Sequence, residues 1–428
     1  MYKIYLYHDL LDGHLHNRGH IMDNDRLPPR KRYALLIAGM IIQLCAGVIY
    51  MWAVFKAPVA GYLERSAGDI ALVSSVMLSA FVVGMLLGGN LQDRFGPRTV
   101  ATLGSLLMSG GILATAFLTP DSAELIYLTY GLTGGIGVGI VYSCTVACVQ
   151  KWFPDRRGFA TGAMVGSFGF SLVIFSPLAN FLLEDVGVPE TFMILGISFM
   201  IICVAASMVL RNPPAGYTVP GITAKRNMEQ RQYMPREVLR MRTFHLITLA
   251  MFFTLPAFFV LNPHLVTLAA ERGLGSYAVS GVIITGLFSA SGRLLITWLS
   301  DRIGRTNALF LIILMTAVGV LAMIFAQGVL FLVCVALISL AFGGASGTFA
   351  AVTADHFGTK YMGTNYGMVT LGFGASALLF PFLSTLISDT DLTPAFIISA
   401  IACAAAFVTV FLLKVSDDRA AAGAEEVS

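Results

Sequence analysis

A short charged motif occurs twice in the chain, each time between two apolar runs long enough to cross a bilayer. The copies are Asp93-Arg94-Phe-Gly96-Pro-Arg98 and Asp301-Arg302-Ile-Gly304-Arg305, with the two aspartates 208 residues apart. Repeats that combine long apolar runs with tight charged turns are typical of membrane transporters built from two related halves. The sequence therefore predicts a duplicated membrane protein whose functional site lies between its halves.

Twelve apolar runs are present, six in each half. A membrane helix needs about 20 predominantly apolar residues, and such runs lie at about 33–57, 70–90, 99–118, 125–149, 159–183, 191–210, 243–269, 277–299, 307–326, 329–354, 364–388 and 394–414. Only 12% of the residues are charged and the mean hydropathy is +0.79, whereas soluble domains have roughly 25% charged residues. We predict an all-α membrane protein with twelve transmembrane helices in two pseudo-symmetric six-helix bundles.

The loops between these runs predict the domain boundaries. We expect a tail at 1–32, an N-terminal bundle at 33–210, a linker at 211–242, a C-terminal bundle at 243–414 and a second tail at 415–428. The linker is rich in Pro, Gly and charged residues, and its end, 235–242, fits either a short amphipathic helix on the inner leaflet or a flexible segment.

Lys and Arg residues predict the orientation. If the Asp-Arg-x-Gly turns are cytoplasmic, nearly all basic loop residues fall on that side, whereas acidic residues dominate the other. This bias follows the positive-inside rule, so we expect an integral, multi-pass protein of the plasma (inner) membrane with both termini and the linker in the cytoplasm. The net charge of +3 then reflects topology, and we expect no nucleic-acid binding.

A second internal match supports the duplication and leads to a family resemblance. The loop Phe153-Pro-Asp-Arg-Arg157-Gly158 corresponds to Phe357-Gly-Thr-Lys360-Tyr-Met-Gly363 at an offset of 204 or 205 residues. Together with the duplicated motif, these loops resemble the major facilitator superfamily. The phrases Gly137-Val-Gly139-Ile-Val-Tyr142 and Lys151-Trp-Phe-Pro-Asp-Arg-Arg-Gly158 are similar to its branch of oxalate:formate antiporters and monocarboxylate transporters. The resemblance implies a transporter that works by alternating access, and no enzyme.

Arg293 is the charged side chain that lies well inside a predicted helix, eight residues before Asp301. A buried arginine costs roughly 2.5–3.5 kcal/mol even on insertion scales, and no carboxylate occurs at helical spacing from it. A guanidinium binds a carboxylate through two charge-assisted hydrogen bonds, which favours a small organic anion as its partner. In the family resembled, an arginine at the matching place on helix 8 is implicated in carboxylate binding. The alternative is that Arg293 snorkels to the interface or caps helix carbonyls.

Three further residues are candidates for substrate contact. The resemblance places aromatic residues of helices 1 and 4 around the substrate, which implies Tyr50 and Tyr142, and their hydroxyls could complete the hydrogen bonds of an anion. Asn262 precedes Pro263 and could break helix 7 to present an amide to the cavity. The alternatives are helix packing for both tyrosines and a simple kink at Asn262.

We expect a different role for the charges of the duplicated motif. Charge pairs and helix-end contacts at these positions can close the inner side of the transporter and break as the halves rock. The residues concerned are Asp93, Arg94, Arg98, Asp301, Arg302 and Arg305. The alternative is that they enforce only tight turns and topology.

Two departures from the family pattern bear on substrate and coupling. The oxalate transporter pattern has a lysine on helix 11 where this chain has Phe373, which favours a monocarboxylate such as lactate, pyruvate or formate over oxalate. Animal monocarboxylate carriers have an aspartate where this chain has Ser289, so no acid is available there as a proton relay. Exchange of anions and co-transport of a proton both remain open.

Other classes of protein fit less well. A sensor would need a soluble signalling domain, and a drug or cation exporter is expected to have an acid in its cavity. A membrane enzyme would need a cluster of His, Cys or acidic residues, and the six cysteines show neither metal-ligand nor disulfide spacing. We therefore expect no cofactor and no metal, with the lipid bilayer and a small carboxylate as partners of a monomer.

Overall fold

The structure is a computed structural model that describes residues 29–214, 217, 232–274, 280–387 and 392–425. Across these residues it consists of helices and connecting turns, without strands. Twelve helical segments follow one another along the chain. They are α1 (Pro29–Ala46, continued by Gly47–Met51 and Trp52–Tyr62), α2 (Ala67–Phe95), α3 (Pro97–Thr115), α4 (Tyr127–Gly134 and Gly135–Trp152), α5 (Arg157–Asp185), α6 (Val188–Ser207), α7 (Arg242–Thr254 and Pro256–Ala269), α8 (Ser280–Ile303), α9 (Arg305–Phe325), α10 (Gly328–Phe357), α11 (Met362–Val369 and Leu371–Ile387) and α12 (Thr393–Glu425).

These helices confirm the predicted twelve-helix membrane fold. Eleven spans among the described residues are long and apolar enough to cross a bilayer. The helix outside that set, α3, begins with Pro97 and Arg98 and contains Gly, Ser and Thr, which lower its hydropathy. The α12 helix continues to Glu425, beyond the predicted end at 414. Residues 1–28 of the predicted tail and most of the linker lie outside the described residues.

Each copy of the duplicated motif forms the turn between two helices. Gly96 has φ +80° and Gly304 has φ +88°, a conformation that glycine adopts without the steric penalty of a Cβ atom. The next helix starts at once, at Pro97 or Arg305. The two turns therefore have similar geometry. They lie at the same end of the molecule, here called the motif end.

Four membrane helices contain an irregular segment. A 3₁₀ turn at Gly47–Met51 interrupts α1, and α4 starts with the π-helix Tyr127–Gly134. The α7 helix breaks at Leu255 and α11 at Thr370. Irregular backbone at membrane depth is tolerated where it is buried in protein or lines a cavity, and two of these interruptions do contribute cavity residues.

The sequence suggested that helix 7 could break at Asn262, but the break lies elsewhere. Asn262 and Pro263 are inside the continuous helix Pro256–Ala269. The break precedes Pro256, because the proline ring lacks an N–H donor and restricts the residue before it.

Glycines allow α8 and α10 to pack with their backbones in contact. A Cβ atom at Gly292 would overlap the carbonyl oxygen of Leu340, and one at Gly343 would overlap that of Ser289. Close approach of this kind is how small residues drive helix association in membranes. The α8–α10 interface therefore fixes the position of Arg293, the neighbour of Gly292.

Gly292→Ala should consequently destabilise the protein by about 1–3 kcal/mol, the usual cost of overpacking. Gly110→Ala is the matched control, because a Cβ atom at Gly110, within α3, would have no atom within 4 Å. Thermal unfolding of both variants in detergent measures the effect. A melting temperature for Gly292→Ala as high as that of Gly110→Ala would contradict the close packing.

Candidate substrate site between the two bundles

A cavity lined by residues of both bundles lies between them. Small-molecule sites typically have a mostly apolar lining with a few polar groups. The N-terminal bundle contributes Tyr50, Phe81, Met85, Tyr142 and Phe168, and the C-terminal bundle contributes Met251, Arg293, Ser346, Tyr366, Thr370 and Phe373. The cavity thus has one cation, several hydroxyls and an apolar wall.

Arg293 lies on α8 and its side chain crosses towards the other bundle. It is 3% exposed. Its Nη2 donates a hydrogen bond to the Tyr50 hydroxyl at 2.8 Å, and its Nη1 donates to the Val165 carbonyl at 3.5 Å. Its Nε is buried without a hydrogen-bond partner.

No carboxylate pairs with Arg293 among the residues that the structure describes. Instead the guanidinium carbon lies 5.4 Å from the ring centroid of Tyr50 and 5.6 Å from that of Phe168. Cation–π contacts of this kind offset only part of the cost of burying a charge. An anion that enters the cavity would therefore find a preformed cationic group with spare hydrogen-bonding capacity.

The structure places the tyrosines of α1 and α4 in the cavity wall. Tyr50 lies in the 3₁₀ turn, and its hydroxyl accepts the hydrogen bond from Arg293. Tyr142 packs against Phe81 and Phe168, with ring centroids 5.4 and 5.1 Å away. Tyr366 of α11 lies in the same wall, so both bundles contribute tyrosines to the cavity.

Asn262 is not brought to this cavity. It is exposed and lies on the second part of α7, whereas the α7 residue in the cavity wall is Met251. Tyr366 and Ser346 do line the cavity, and the Tyr366 hydroxyl donates a hydrogen bond of 3.4 Å to the Ser346 carbonyl.

Sequence reasoning missed several lining residues. Met85, Phe81, Phe168 and Met251 are apolar residues of apolar helices, so nothing in the sequence distinguishes them from residues that face lipid or another helix. Tyr366 did carry a signal, because it is a polar aromatic residue within Asn365-Tyr366-Gly367 of α11.

Phe373 occupies the place where the oxalate transporter pattern has a lysine, and it belongs to an aromatic cluster. Its ring lies 5.2 Å from Phe259 and 6.4 Å from Phe342, and Phe342 stacks on Phe258 at 3.6 Å. Arg293 is accordingly the cation among the lining residues, and none of these residues is acidic.

Asp301 makes the first of two equivalent contacts at the motif end. Its carboxylate accepts hydrogen bonds of 2.9 Å from the backbone N–H groups of Gly158 and Phe159. These groups belong to the first turn of α5, which has no intrahelical partners for them and carries the positive end of the helix dipole. We call this contact between the bundles the α5 cap.

Asp93 makes the corresponding contact on the other side. It accepts hydrogen bonds from the backbone N–H of Thr364 at 2.9 Å and from the Thr364 hydroxyl at 3.0 Å, in the first turn of α11. Lys151 Nζ lies 3.5 Å from its other oxygen. We call this contact the α11 cap. Here a carboxylate of the N-terminal bundle holds a helix of the C-terminal bundle, which is the reverse of the α5 cap.

Arg305 and the unpredicted residues Arg157 and Asp355 reinforce the α5 cap. Arg305 pairs with Asp301 and with Asp355, each at 2.7 Å. Arg157, at the start of α5, pairs with the same Asp355 across the bundles at 2.6 Å. Asp301 of α8 and Asp355 of α10 therefore both hold the start of α5.

The other three motif arginines take no part in these contacts between described residues. Arg94 and Arg98 are exposed, and Arg302 lies over the ring of Trp298 on its own helix, at 4.1 Å from the centroid. For these residues the arrangement supports the alternative of turn formation and topology.

A cavity between two six-helix bundles that contact each other at one end is typical of membrane transporters built from two halves. The family model of the Major Facilitator Superfamily matches residues 34–381, and the chain belongs to this superfamily. It is a transporter and not an enzyme.

Several relatives of the chain belong to the branch that the sequence resembles. The oxalate:formate antiporter of Oxalobacter formigenes is 29% identical over 343 residues, which cover 78% of this chain and 79% of the antiporter. Monocarboxylate transporter 11 of Homo sapiens is 27% identical over 57% of this chain and 50% of its own length. The MFS-type transporter YhjX of Escherichia coli is 26% identical over 82% of this chain and 86% of its own.

Solved structures share the fold. The proton:xylose symporter XylE superposes with a TM-score of 0.72 at 14% identity, covering 90% of this chain and 96% of XylE. The transporter FucP in its outward conformation gives a TM-score of 0.67 at 16% identity, covering 89% of this chain and 98% of FucP. These matches support the two-bundle architecture.

Proposed function

We propose that the protein is a secondary active transporter of small monocarboxylates, of the lactate, pyruvate or formate type, with Arg293 as the carboxylate-binding residue. The observation that carries this proposal is a buried guanidinium that lines the cavity between the bundles and has an unpartnered Nε. One carboxylate neutralises this charge and satisfies its donors in a bidentate geometry.

The hydroxyls around Arg293 complete the proposed binding site. Tyr50 already contacts the guanidinium, and Tyr142 and Tyr366 lie in the same wall. A carboxylate on Arg293 would accept a hydrogen bond from Tyr50, while the apolar part of the substrate would contact Phe168 and Phe373. Asn262 would join the site only in a conformation in which the second part of α7 has moved.

Oxalate:formate exchange is the alternative function, supported by the antiporter of Oxalobacter formigenes. A dicarboxylate has two charges, whereas the lining offers one cation and the aromatic Phe373. The charge balance therefore favours a monocarboxylate. Export of drugs or cations is less favoured still, because no acidic residue lines the cavity.

Coupling follows from the same lining. Since the cavity residues include no carboxylate, a proton would have to travel with the substrate, or one anion would have to exchange for another. We place the protein in the plasma (inner) membrane as a monomer, with both termini and the motif end in the cytoplasm. The α5 and α11 caps would then close the inner side of the transporter.

Uptake into proteoliposomes tests the function. Labelled lactate, pyruvate, formate and oxalate are compared with and without a counter-substrate inside, and with and without an inward proton gradient. Saturable flux of a monocarboxylate supports the proposal, and its dependence on counter-substrate or on the gradient decides the coupling. Flux of oxalate alone would support the alternative, and no carboxylate flux would overturn both.

Phe373→Lys should introduce affinity for dicarboxylates. A second cation would pair with a second carboxylate, and a hydrogen bond to a charged group contributes about 1.5–3 kcal/mol, so oxalate should inhibit monocarboxylate uptake at least about tenfold more strongly. Phe373→Leu is the control, since it removes the ring without adding charge. Equal inhibition of both variants would show that position 373 does not select for the number of charges.

A further inference from the structure

The end of the linker, residues 232–234, contacts the turn that leads into α11, the helix that Asp93 caps. Tyr233 N–H donates to the Phe357 carbonyl at 3.1 Å. The Gln232 side-chain oxygen accepts a hydrogen bond of 2.9 Å from the backbone N–H of Lys360. The linker therefore contacts the turn between α10 and α11 from outside the two bundles.

This turn is shaped for the linker. Gly358, with φ +79°, lies at the start of the turn, and a Cβ atom there would overlap the Gln232 amide. Beyond it, Glu237 accepts a hydrogen bond of 2.7 Å from Met234 N–H and stabilises the one-turn helix Pro235–Val238. Val238 is fully buried, so this part of the linker is anchored to the C-terminal bundle.

Asn365 connects the linker to α11 itself. It is fully buried, and its Nδ2 donates to the Tyr233 carbonyl at 3.2 Å. Its neighbour Thr364 supplies both hydrogen bonds of the α11 cap. The first turn of α11 is thus held by the linker at Asn365 and by Asp93 of the opposite bundle at the adjacent Thr364.

We propose that Gln232, Tyr233 and Asn365 form a linker clasp that positions the first turn of α11 to receive Asp93. A group that is ordered in advance loses less conformational freedom when a contact forms. The clasp therefore stabilises the state in which the motif end is closed, and it does so without touching the substrate cavity. This inference rests on the alternating access proposed above.

Spin labels on opposite bundles report closure of the motif end without any substrate. Arg156 and Asn307 are exposed positions for labelling, in the N-terminal and C-terminal bundle, respectively. The six native cysteines are buried, so their labelling is expected to be low. Pulsed electron–electron distances between the two labels then give the populations of closed and open motif ends in the full-length protein.

Gln232→Ala should raise the ratio of open to closed populations by about threefold to tenfold, the range for one net hydrogen bond. Gln232→Glu keeps an acceptor for Lys360 N–H and should retain the wild-type distribution. Uptake at saturating substrate should show a changed maximal rate for Gln232→Ala, because the populations of the two states enter the transport cycle. Distances identical in Gln232→Ala and the wild type, or equally altered in both variants, would overturn the clasp.

Asp93→Asn tests closure by the caps separately from the clasp. This variant removes the charge of the α11 cap and should shift the same distances more strongly than Gln232→Ala. A shift in Asp93→Asn with none in Gln232→Ala rejects the clasp and retains the cap. No shift in either variant rejects the closure by caps, and the clasp with it, whatever the substrate proves to be.

Discussion

Arg293→Gln should abolish saturable carboxylate uptake or raise its KM at least about 30-fold. Truncating one partner of a buried, hydrogen-bonded charge pair costs about 2–5 kcal/mol, and the substrate would be the charged partner here. Glutamine keeps the approximate length and polarity of the side chain but has neither the charge nor the bidentate donor pair. Initial rates of uptake in proteoliposomes over a range of substrate concentrations measure the effect.

Stability separates this role from a structural one. Arg293 has a hydrogen bond to Tyr50, a long one to Val165 and an unpartnered Nε. Because burying its charge is costly, Arg293→Gln should melt at a temperature no lower than the wild type. Arg293→Lys keeps the charge without the planar fork and should be intermediate in uptake. A lower melting temperature with normal uptake would make Arg293 a structural residue.

Asp301→Asn should open the motif end and slow transport at least about tenfold. The carboxylate accepts two backbone hydrogen bonds from α5 and pairs with Arg305. Hydrogen bonds to charged groups contribute about 1.5–3 kcal/mol each, and an asparagine oxygen retains only part of this. The α5 cap should therefore be occupied for a smaller fraction of the time.

Alkylation of a cysteine in the bundle interface measures that opening. Ala290→Cys is suitable because Ala290 is fully buried on α8 and its Cβ faces Gly169 of the opposite bundle. Its reaction with a maleimide should be at least about tenfold faster in Asp301→Asn. Arg302→Gln is the matched control, because the Arg302 guanidinium, next to Asp301 in the chain, lies over the Trp298 ring. This variant should react and transport like the wild type. Equal rates in the Asp301 and Arg302 variants would refute the cap.

The fold could be predicted almost completely from the sequence. Apolar length determines the helices, because lipid leaves no other way to satisfy the backbone, and the duplicated motif indicated the two halves. The ends were less predictable. The α12 helix continues as far as Glu425 because a polar sequence rich in alanine extends a helix once the membrane segment has started it.

A charge inside an apolar helix was the sequence signal for Arg293, and the family resemblance implied Tyr50 and Tyr142. The structure places all three in one cavity wall. The rotation of a helix about its axis is not encoded in its hydropathy, which is why the sequence did not distinguish Phe168 and Met251 as lining residues. Asn262 lies on the continuous helix Pro256–Ala269, outside this lining. Asp355 and Arg157 were missed because their pairing depends on two helices from different bundles.

The two caps exchange partners between the halves. Asp301 of the second half holds the start of α5 in the first, and Asp93 of the first half holds the start of α11 in the second. Reciprocal contacts of this kind are the defining property of a two-fold symmetric dimer, in which one surface patch meets its own copy. Two half-length chains could therefore form both caps without a covalent connection. In the single chain the two caps need not be identical, and Lys151 supports Asp93 whereas Arg305 supports Asp301.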